Sequence, residues 1–313
     1  MSVVSEDLRF LHEAEIGLGA WSWGDRMVWG YGHGYSDVDI AEAFKVSHEA
    51  GIKIIDTAEV YGRGRSEKLL GKFLSSNGDK PVYVATKFFP YPWRFRSAAM
   101  ERALRGSLER LGKNQVDLYQ IHWPTPLRSV EVWVEGLAEA RRKGLARAVG
   151  VSNFDQNQTQ RAYTVLAKYD IPLASNQVEY HLLNRQIEKN GLLARCQELG
   201  IRVIAYSPLA MGFLTGKYTS EKLPSGTRRR GASKKIEALQ PLLKLMIEIG
   251  QDQGGKSPAQ VAINWVICKG ALPIPGAKTG EQAEVNAGAT GWRLTTEQVQ
   301  ALDKASDEAT LQA

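Results

Sequence analysis

Short apolar runs rich in β-branched residues alternate with longer amphipathic stretches along this chain. The short runs are typical of buried strands, whereas apolar residues spaced three or four apart predict helices with one buried face. Their alternation predicts a parallel sheet covered by helices on its outer face. Strand character is found at residues 15–18, 53–56, 82–86, 116–122, 146–151, 173–178, 202–206 and 271–274. Helical spacing is found between them, at residues 38–50, 66–75, 97–111, 130–143, 158–169, 186–199 and 258–269.

Eight strands fit a closed barrel better than an open doubly wound sheet. An open sheet that binds a nucleotide needs a G-x-G-x-x-G turn between its first strand and helix. Residues 17–21 (GLGAW) supply the first two glycines of this motif, but the third does not follow at the required position. The glycine-rich residues 30–34 (GYGHG) follow no strand. We therefore predict an α/β fold, a single (β/α)8 TIM barrel domain over residues 1–313. A long irregular loop after strand 7, at residues 209–234, is expected on the catalytic face.

The composition excludes several classes of protein. Forty Lys and Arg against thirty-four Asp and Glu leave a net charge of +6, which suits an anionic small ligand better than nucleic acid. Two cysteines cannot build a disulfide framework, which predicts a reducing, cytoplasmic location. No apolar run approaches the ~20 residues of a membrane span, and the first residues lack the pattern of a signal peptide. The histidines show no metal-ligand spacing, so we expect no metal. From the missing apolar run and the mild net charge, we expect neither a membrane nor a nucleic-acid partner.

Three polar residues close predicted strands, and a fourth follows in a loop. Asp56, Lys87 and His122 close the second, third and fourth strands, and Tyr61 follows Asp56 by five positions. Because the carboxyl ends of barrel strands meet at one mouth, we expect these side chains to share a pocket. There a lysine would lower the pKa of the tyrosine from ~10, an aspartate would offset the burial of the lysine, and a histidine would orient a carbonyl oxygen. Such a group suits the protonation of an aldehyde or ketone during hydride addition, and a nicotinamide must supply the hydride.

At this point the motifs resemble those of the aldo-keto reductase family over residues 16–306. Residues 56–67 (DTAEVYGRGRSE) are similar to its Asp/Tyr signature, and residues 118–124 (LYQIHWP) to its His signature. Later strand ends match in the same order, at 149–154 (VGVSNF), 176–180 (NQVEY), 205–209 (AYSPL) and 274–278 (IPGAK). Residues 91–94 (YPWR), 150–153 (GVSN), 262–270 (AINWVICKG) and 291–292 (GW) resemble the branch of plant pyridoxal reductases.

The resemblance implies a role for each matching residue. Tyr61 is expected to be the proton donor, Lys87 to tune its pKa, Asp56 to hold Lys87, and His122 to orient the substrate. Trp21 and Trp123, just past strand ends, are expected to form an apolar substrate wall together with Trp93. The implied cofactor-binding residues are Gly19, Ala20, Trp21, Ser152, Asn153, Gln177, Tyr206, Ser207, Pro208, Leu209, Gly212, Leu214, Lys217, Gly276, Lys278, Thr279, Gln282 and Asn286.

The choice between NADP and NAD depends on the segment after the eighth strand. Lys278 favours NADP, because a cation pairs with the 2′-phosphate that NAD lacks. Val285 stands where the family usually has glutamate, and Glu284 lies one residue earlier. This departure predicts either a weaker adenosine contact or a shifted helix register.

The predicted function is thus the NADPH-dependent reduction of a small aldehyde or ketone, with pyridoxal among the candidates. Two alternatives stay open. One is a cofactor-holding regulatory subunit resembling the β subunits of voltage-gated potassium channels. The other is an NADP-dependent dehydrogenase that oxidises sugars or alcohols in the reverse direction. The physiological substrate, the stereochemistry and the oligomeric state are left open by the sequence.

Overall fold

Eight parallel strands form the centre of the fold. The computed structural model describes residues 6–78, 80–94, 98–224 and 226–312. The strands pair in chain order from β1 to β8, and the Gly19 N–H donates to the Pro275 carbonyl at 3.0 Å, which joins the two edges. The fold is therefore a (β/α)8 barrel, as predicted. Its strands are β1 Gly17–Gly19, β2 Ile54–Asp56, β3 Tyr83–Phe88, β4 Val116–Ile121, β5 Ala146–Ser152, β6 Leu173–Glu179, β7 Arg202–Tyr206 and β8 Leu272–Ile274.

Helices cover the outside of the barrel, and six of the seven predicted helices lie within two residues of their predicted bounds. Ser257 caps its helix as its sequence suggests, by accepting the Gln260 N–H, with Pro258 in the first turn. The helices are α1 Arg9–His12, α2 Asp37–Glu49, α3 Arg65–Ser76, α4 Ala98–Leu111, α5 Val130–Arg142, α6 Gln156–Ala167, α7 Gln186–Lys189, α8 Leu192–Glu198, α9 Ala232–Asp252, α10 Pro258–Cys268, α11 Gly280–Ala287 and α12 Thr296–Gln312. The start of the predicted helix 97–111 at residue 97 lies outside the described residues.

One predicted helix is wrong. Residues 186–199 form two short helices instead of one, with a break at Asn190 and Gly191. Gly191 has a φ of 78°, a conformation that L side chains rarely adopt. The Asn190 side chain accepts the Leu192 N–H at 3.1 Å and so starts the second helix.

The loop after β7 is less irregular than the sequence suggests. Short 3₁₀ turns occupy Ala210–Thr215 and Gly226–Arg229, and α9 begins at Ala232. This helix starts two residues before the predicted end of the loop.

Two apolar layers hold the barrel together. The larger one lies between the strands and the surrounding helices. The smaller one includes Ile54, Leu118 and Ile204, and Phe10 and Leu11 from the N-terminal segment pack with them. Parallel strands buried on both faces are expected to read as continuous apolar runs, as these do. The N-terminal segment thus fills one end of the barrel, and the polar strand ends lie at the other. No helix among the described residues is long and apolar enough to cross a membrane.

Candidate active site

A buried lysine lies at the centre of the polar cluster at the carboxyl ends of the strands. Lys87, in β3, is fully buried and forms an ion pair with Asp56 at the end of β2. Its Nζ also donates to the Thr57 carbonyl at 2.9 Å and to the Tyr61 hydroxyl oxygen at 3.3 Å. The Lys87 ammonium is therefore satisfied by three oxygen acceptors, and one of them is the hydroxyl that faces the cavity.

The electrostatics of this pair differ from the expectation in one respect. Burial raises the pKa of Tyr61 and outweighs the opposite effect of Lys87, so the expected net lowering is not found. For Lys87, burial disfavours the charge, but Asp56 and Tyr61 more than offset it and raise the pKa of the ammonium. Tyr61 is thus held protonated beside a charged lysine.

His122 follows β4 and stands beside the tyrosine. Its ring is 5.6 Å from that of Tyr61 in an edge-to-face arrangement, and Phe89 contacts it in the same way at 5.6 Å. Burial and then the charge of Lys87 lower the pKa of His122 to about 3, so the imidazole is neutral near pH 7. Its Nδ1 is buried and has no hydrogen-bond partner among the described residues.

Amide side chains extend the cluster toward β5 and β6. The side-chain amide of Gln177 donates to Asp56 Oδ2 at 2.8 Å. The backbone carbonyl of Gln177 accepts the Ser152 hydroxyl at 2.8 Å. The Asn153 amide nitrogen donates to the His122 carbonyl at 3.1 Å, and Asn153 Oδ1 accepts the Tyr206 hydroxyl at 3.0 Å. Asn153 has a φ of 61°, a strained value for a residue other than glycine. This network fixes the polar wall beside the lysine.

A cavity of about 800 Å³ opens above this cluster. Asp56, Tyr61 and His122 line it, and Trp21 and Trp123 form apolar parts of its wall. Most residues of the predicted cofactor set lie on its surface. They are Gly19, Trp21, Ser152, Asn153, Gln177, Tyr206, Ser207, Pro208, Leu209, Gly212, Lys217, Gly276, Lys278, Gln282 and Asn286.

Five of the predicted site residues do not reach the cavity surface. Ala20 and Leu214 are fully buried behind it, and Thr279 accepts the Gln282 N–H as the cap of α11. Trp93 is 68% exposed and stacks on Tyr91 at 4.6 Å, outside the cavity lining. Lys87 also lies behind the surface, because it reaches the cavity through Tyr61.

Several lining residues were missed by the sequence analysis. Arg228 lies in a run of three arginines in the loop after β7, and the run alone does not show which of its side chains reaches the cavity. Trp29 and Phe89 gave no usable signal, since contact with the cavity depends on how their loops fold. The missed residues include Trp29, Val60, Phe89, Met211, Tyr218, Arg228, Ser257, Ala259 and Glu281.

Three cations gather at one end of the cavity. Lys217, Arg228 and Lys278 all line it. Burial, and then the charges of Arg228 and Lys217, lower the pKa of Lys278 to about 8. Val285 lines the same end, whereas Glu284 is exposed and outside the lining. This end therefore suits an anionic group such as a phosphate. No cluster of metal-ligating side chains occurs among the described residues.

Fold and site together define a barrel oxidoreductase with its polar cluster at the carboxyl ends of the strands. The sequence model of the Aldo/keto reductase family matches residues 15–307, and the chain belongs to this family. It is therefore an oxidoreductase that uses a nicotinamide cofactor.

Individual relatives agree with this membership. The chain is 44% identical over 311 residues to the chloroplastic pyridoxal reductase of Arabidopsis thaliana, covering 95% of this chain and 84% of that protein. The glycerol dehydrogenase of Gluconobacter oxydans superimposes with a TM-score of 0.82 at 28% identity, over 93% of this chain and 90% of that one. An aldo/keto reductase of Klebsiella pneumoniae, solved with NADP and acetate, gives a TM-score of 0.72 at 30% identity, over the same shares.

Proposed function

We propose that this protein reduces a small aldehyde or ketone to an alcohol with NADPH, and that Tyr61 donates the proton. The observation that carries the proposal is the contact of Lys87 with both Asp56 and Tyr61 at the cavity wall. Lys87 donates to the Tyr61 oxygen, so the hydroxyl proton of Tyr61 is free to pass to a carbonyl oxygen.

The four polar residues divide the proton chemistry among them. Tyr61 is protonated at neutral pH because burial raises its pKa. Once Tyr61 has given up its proton, the Lys87 ammonium stabilises the phenolate, and Asp56 keeps that ammonium charged. Neutral His122 offers one ring N–H with which to orient the carbonyl oxygen next to Tyr61. When bound, NADPH supplies the hydride.

The cavity offers the groups that such a cofactor needs. Ser152, Asn153 and Gln177 form a polar wall suited to the nicotinamide amide, and the Tyr206 ring lines the cavity beside them. The cation-rich end suits the phosphates, and Lys278 is the residue we assign to the 2′-phosphate. The Klebsiella pneumoniae aldo/keto reductase has been solved with NADP and, separately, with NADPH, which supports NADP here as well.

For the substrate we propose a pyridoxal-type or other small aldehyde. The aromatic wall of Trp21 and Trp123 suits a planar ring, and the relative from Arabidopsis thaliana is named a pyridoxal reductase.

For the cellular location we propose the cytoplasm, because Cys196 and Cys268 are both free thiols. The plant relative is named as chloroplastic, so organelle fractionation is the test of location.

The test of the function is NADPH consumption by the purified protein. Pyridoxal, 4-nitrobenzaldehyde, methylglyoxal and a sugar aldehyde form the panel, and NADH is the control cofactor. Rapid oxidation of NADPH with a preference for pyridoxal is expected. Tight NADPH binding without turnover of any carbonyl would contradict the proposal and favour the regulatory-subunit alternative. No binding of NADPH would overturn the cofactor assignment.

A second candidate is oxidation in the reverse direction. The same residues can act in reverse, and the structural neighbour from Gluconobacter oxydans is named a glycerol dehydrogenase. Reduction of NADP+ in the presence of glycerol or another polyol tests this candidate. A kcat/KM for the polyol above that for every aldehyde of the panel would favour oxidation over reduction.

A further inference from the structure

Trp29 lies where the loop after β1 meets the cation-rich end of the cavity. This β1 loop, residues 20–36, connects β1 to α2. The Trp29 ring lines the cavity and meets the ring of Trp21 edge-on at 5.4 Å. Its backbone N–H donates to the Asp25 carboxylate at 3.3 Å, which helps to fix the loop. Trp29 is thus part of a built wall and not a side chain in open solvent.

The β1 loop encloses the Lys278 ammonium on several sides. Lys278 Nζ is 5.0 Å from the ring centre of Trp29 and 4.4 Å from that of Tyr35. The same nitrogen donates to the Trp29 carbonyl at 2.9 Å. Tyr35 is itself buried and held by a 2.7 Å hydrogen bond from its hydroxyl to the Ser22 carbonyl. Two aromatic faces and one carbonyl therefore form a cage around the ammonium.

The cage offsets a repulsion that the cavity itself creates. The Arg228 guanidinium lies 5.3 Å from the Trp29 ring, and it also donates to the Tyr218 hydroxyl at 3.1 Å. Arg228 and Lys278 are like charges in the same half-buried region, and the charge of Arg228 helps to lower the pKa of Lys278. An aromatic face attracts both cations, so Trp29 reduces the cost of holding them together.

We propose that the aromatic cage of Trp29 and Tyr35 is a positioning device that holds Lys278, with Arg228 beside it, for the 2′-phosphate of the cofactor. The β1 loop then contributes to the discrimination between NADP and NAD, although none of its side chains need touch the phosphate. This inference rests on the proposed function, because it takes NADP as the ligand of the cavity.

The test is the ratio of dissociation constants for NAD+ and NADP+, measured by isothermal titration calorimetry on the full chain without a carbonyl substrate. These ligands differ only in the 2′-phosphate. Trp29→Leu and Tyr35→Leu should each reduce the preference for NADP+ about fivefold, whereas Trp29→Phe and Tyr35→Phe, which keep the rings, should retain most of it. In the background of Lys278→Met, Trp29→Leu should have a much smaller effect, because the caged ammonium is gone.

Trp93→Leu is the matched control, since the same change is made on a side chain outside the cavity lining. Thermal unfolding of each variant verifies that it is folded. An equal weakening of NAD+ and NADP+ by Trp29→Leu would overturn the inference, because it would mean a general effect on the loop. Unchanged affinities in both leucine variants would also overturn it. If the unmodified protein binds NAD+ and NADP+ equally, the inference and the NADP assignment both fail. Carbonyl reduction with NADH would in that case still support the oxidoreductase function.

Discussion

Removal of one oxygen atom, in Tyr61→Phe, tests the proposed proton donor most directly. The ring would keep its edge contact with His122, and Lys87 would keep Asp56 and the Thr57 carbonyl as acceptors. We expect kcat to fall by about 10²- to 10⁴-fold, the usual contribution of a positioned general acid. The dissociation constant for NADP+ should stay within about twofold, since the change leaves the cofactor wall intact. Steady-state kinetics and calorimetry measure the two quantities, and an unchanged kcat would remove Tyr61 from the role.

His122 should make the protein sensitive to acid. Its pKa is lowered to about 3 in the folded protein, first by burial and then by Lys87, and in the unfolded chain it lies near 6.5. The unfolded state therefore binds more protons between these values, and the free energy of unfolding falls as the pH drops below about 6.5. At pH 5 this one residue accounts for a loss of up to about 2 kcal/mol. Urea unfolding at pH 7 and pH 5 measures the loss, and His122→Gln should reduce it. An equal loss in that variant would assign the sensitivity to other groups.

The candidate catalytic residues could be predicted from the sequence because strand ends fix their position. Asp56, Lys87 and His122 each end an apolar run, and a closed barrel brings such ends to one mouth whatever the loops do. Trp93 and Trp29 could not be placed in this way. The side chain of each depends on the path of a loop, and Trp93 stacks on Tyr91 outside the cavity while Trp29 lines it.

At the scale of elements, the strands were predicted better than the helices. A buried parallel strand needs only a short apolar run, so its position follows from composition. The break between α7 and α8 depends on one left-handed residue, Gly191, inside an otherwise helical pattern. The Asn190 side chain competes with the helix for a backbone N–H, and apolar spacing does not report such competition.

A buried ion pair joins the loop after β2, which carries Tyr61, to the loop after β3. Arg94 Nη2 donates to Glu59 Oε2 at 2.9 Å, and the Glu59 side chain is 8% exposed. The Phe89 N–H donates to Glu59 at 2.7 Å, and the Phe89 carbonyl accepts from Arg94 at 2.8 Å. These contacts hold the Phe89 side of the cavity wall in place.

Arg94→Met should therefore destabilise the protein by about 3 kcal/mol, because it leaves the Glu59 carboxylate buried without its ion-pair partner. The double variant with Glu59→Gln should recover at least half of that loss, since the uncompensated charge is then gone. Urea unfolding of the single and double variants measures both effects. A double variant no more stable than Arg94→Met would show that the arginine acts through its stacking on Tyr91 and Phe88.

At the scale of the whole molecule, the barrel separates stability from chemistry. Phe10 and Leu11 fill one end together with the inner residues of the strands, whereas the polar cluster and the cavity lie at the other end. The alternation of strands and helices predicts the barrel, but it does not predict how the end opposite the cavity is closed. That closure comes from the short 3₁₀ and helical turns of Glu6–Leu8 and Arg9–His12, which are too short to give a periodic signal.

Leu11→Ala tests this separation. Leu11 is fully buried among the inner core residues, so its truncation should cost about 3 kcal/mol of the free energy of unfolding through lost burial and a cavity. Because none of the described residues that line the cavity belongs to the N-terminal segment, kcat and KM should remain within about twofold well below the unfolding temperature. Urea unfolding and steady-state kinetics on the same preparation measure both. His12→Ala, a change at a partly exposed neighbour in the same turn, is the control and should cost much less. A loss of activity in Leu11→Ala at a temperature where the variant is fully folded would mean that packing at one end of the barrel is transmitted to the site at the other.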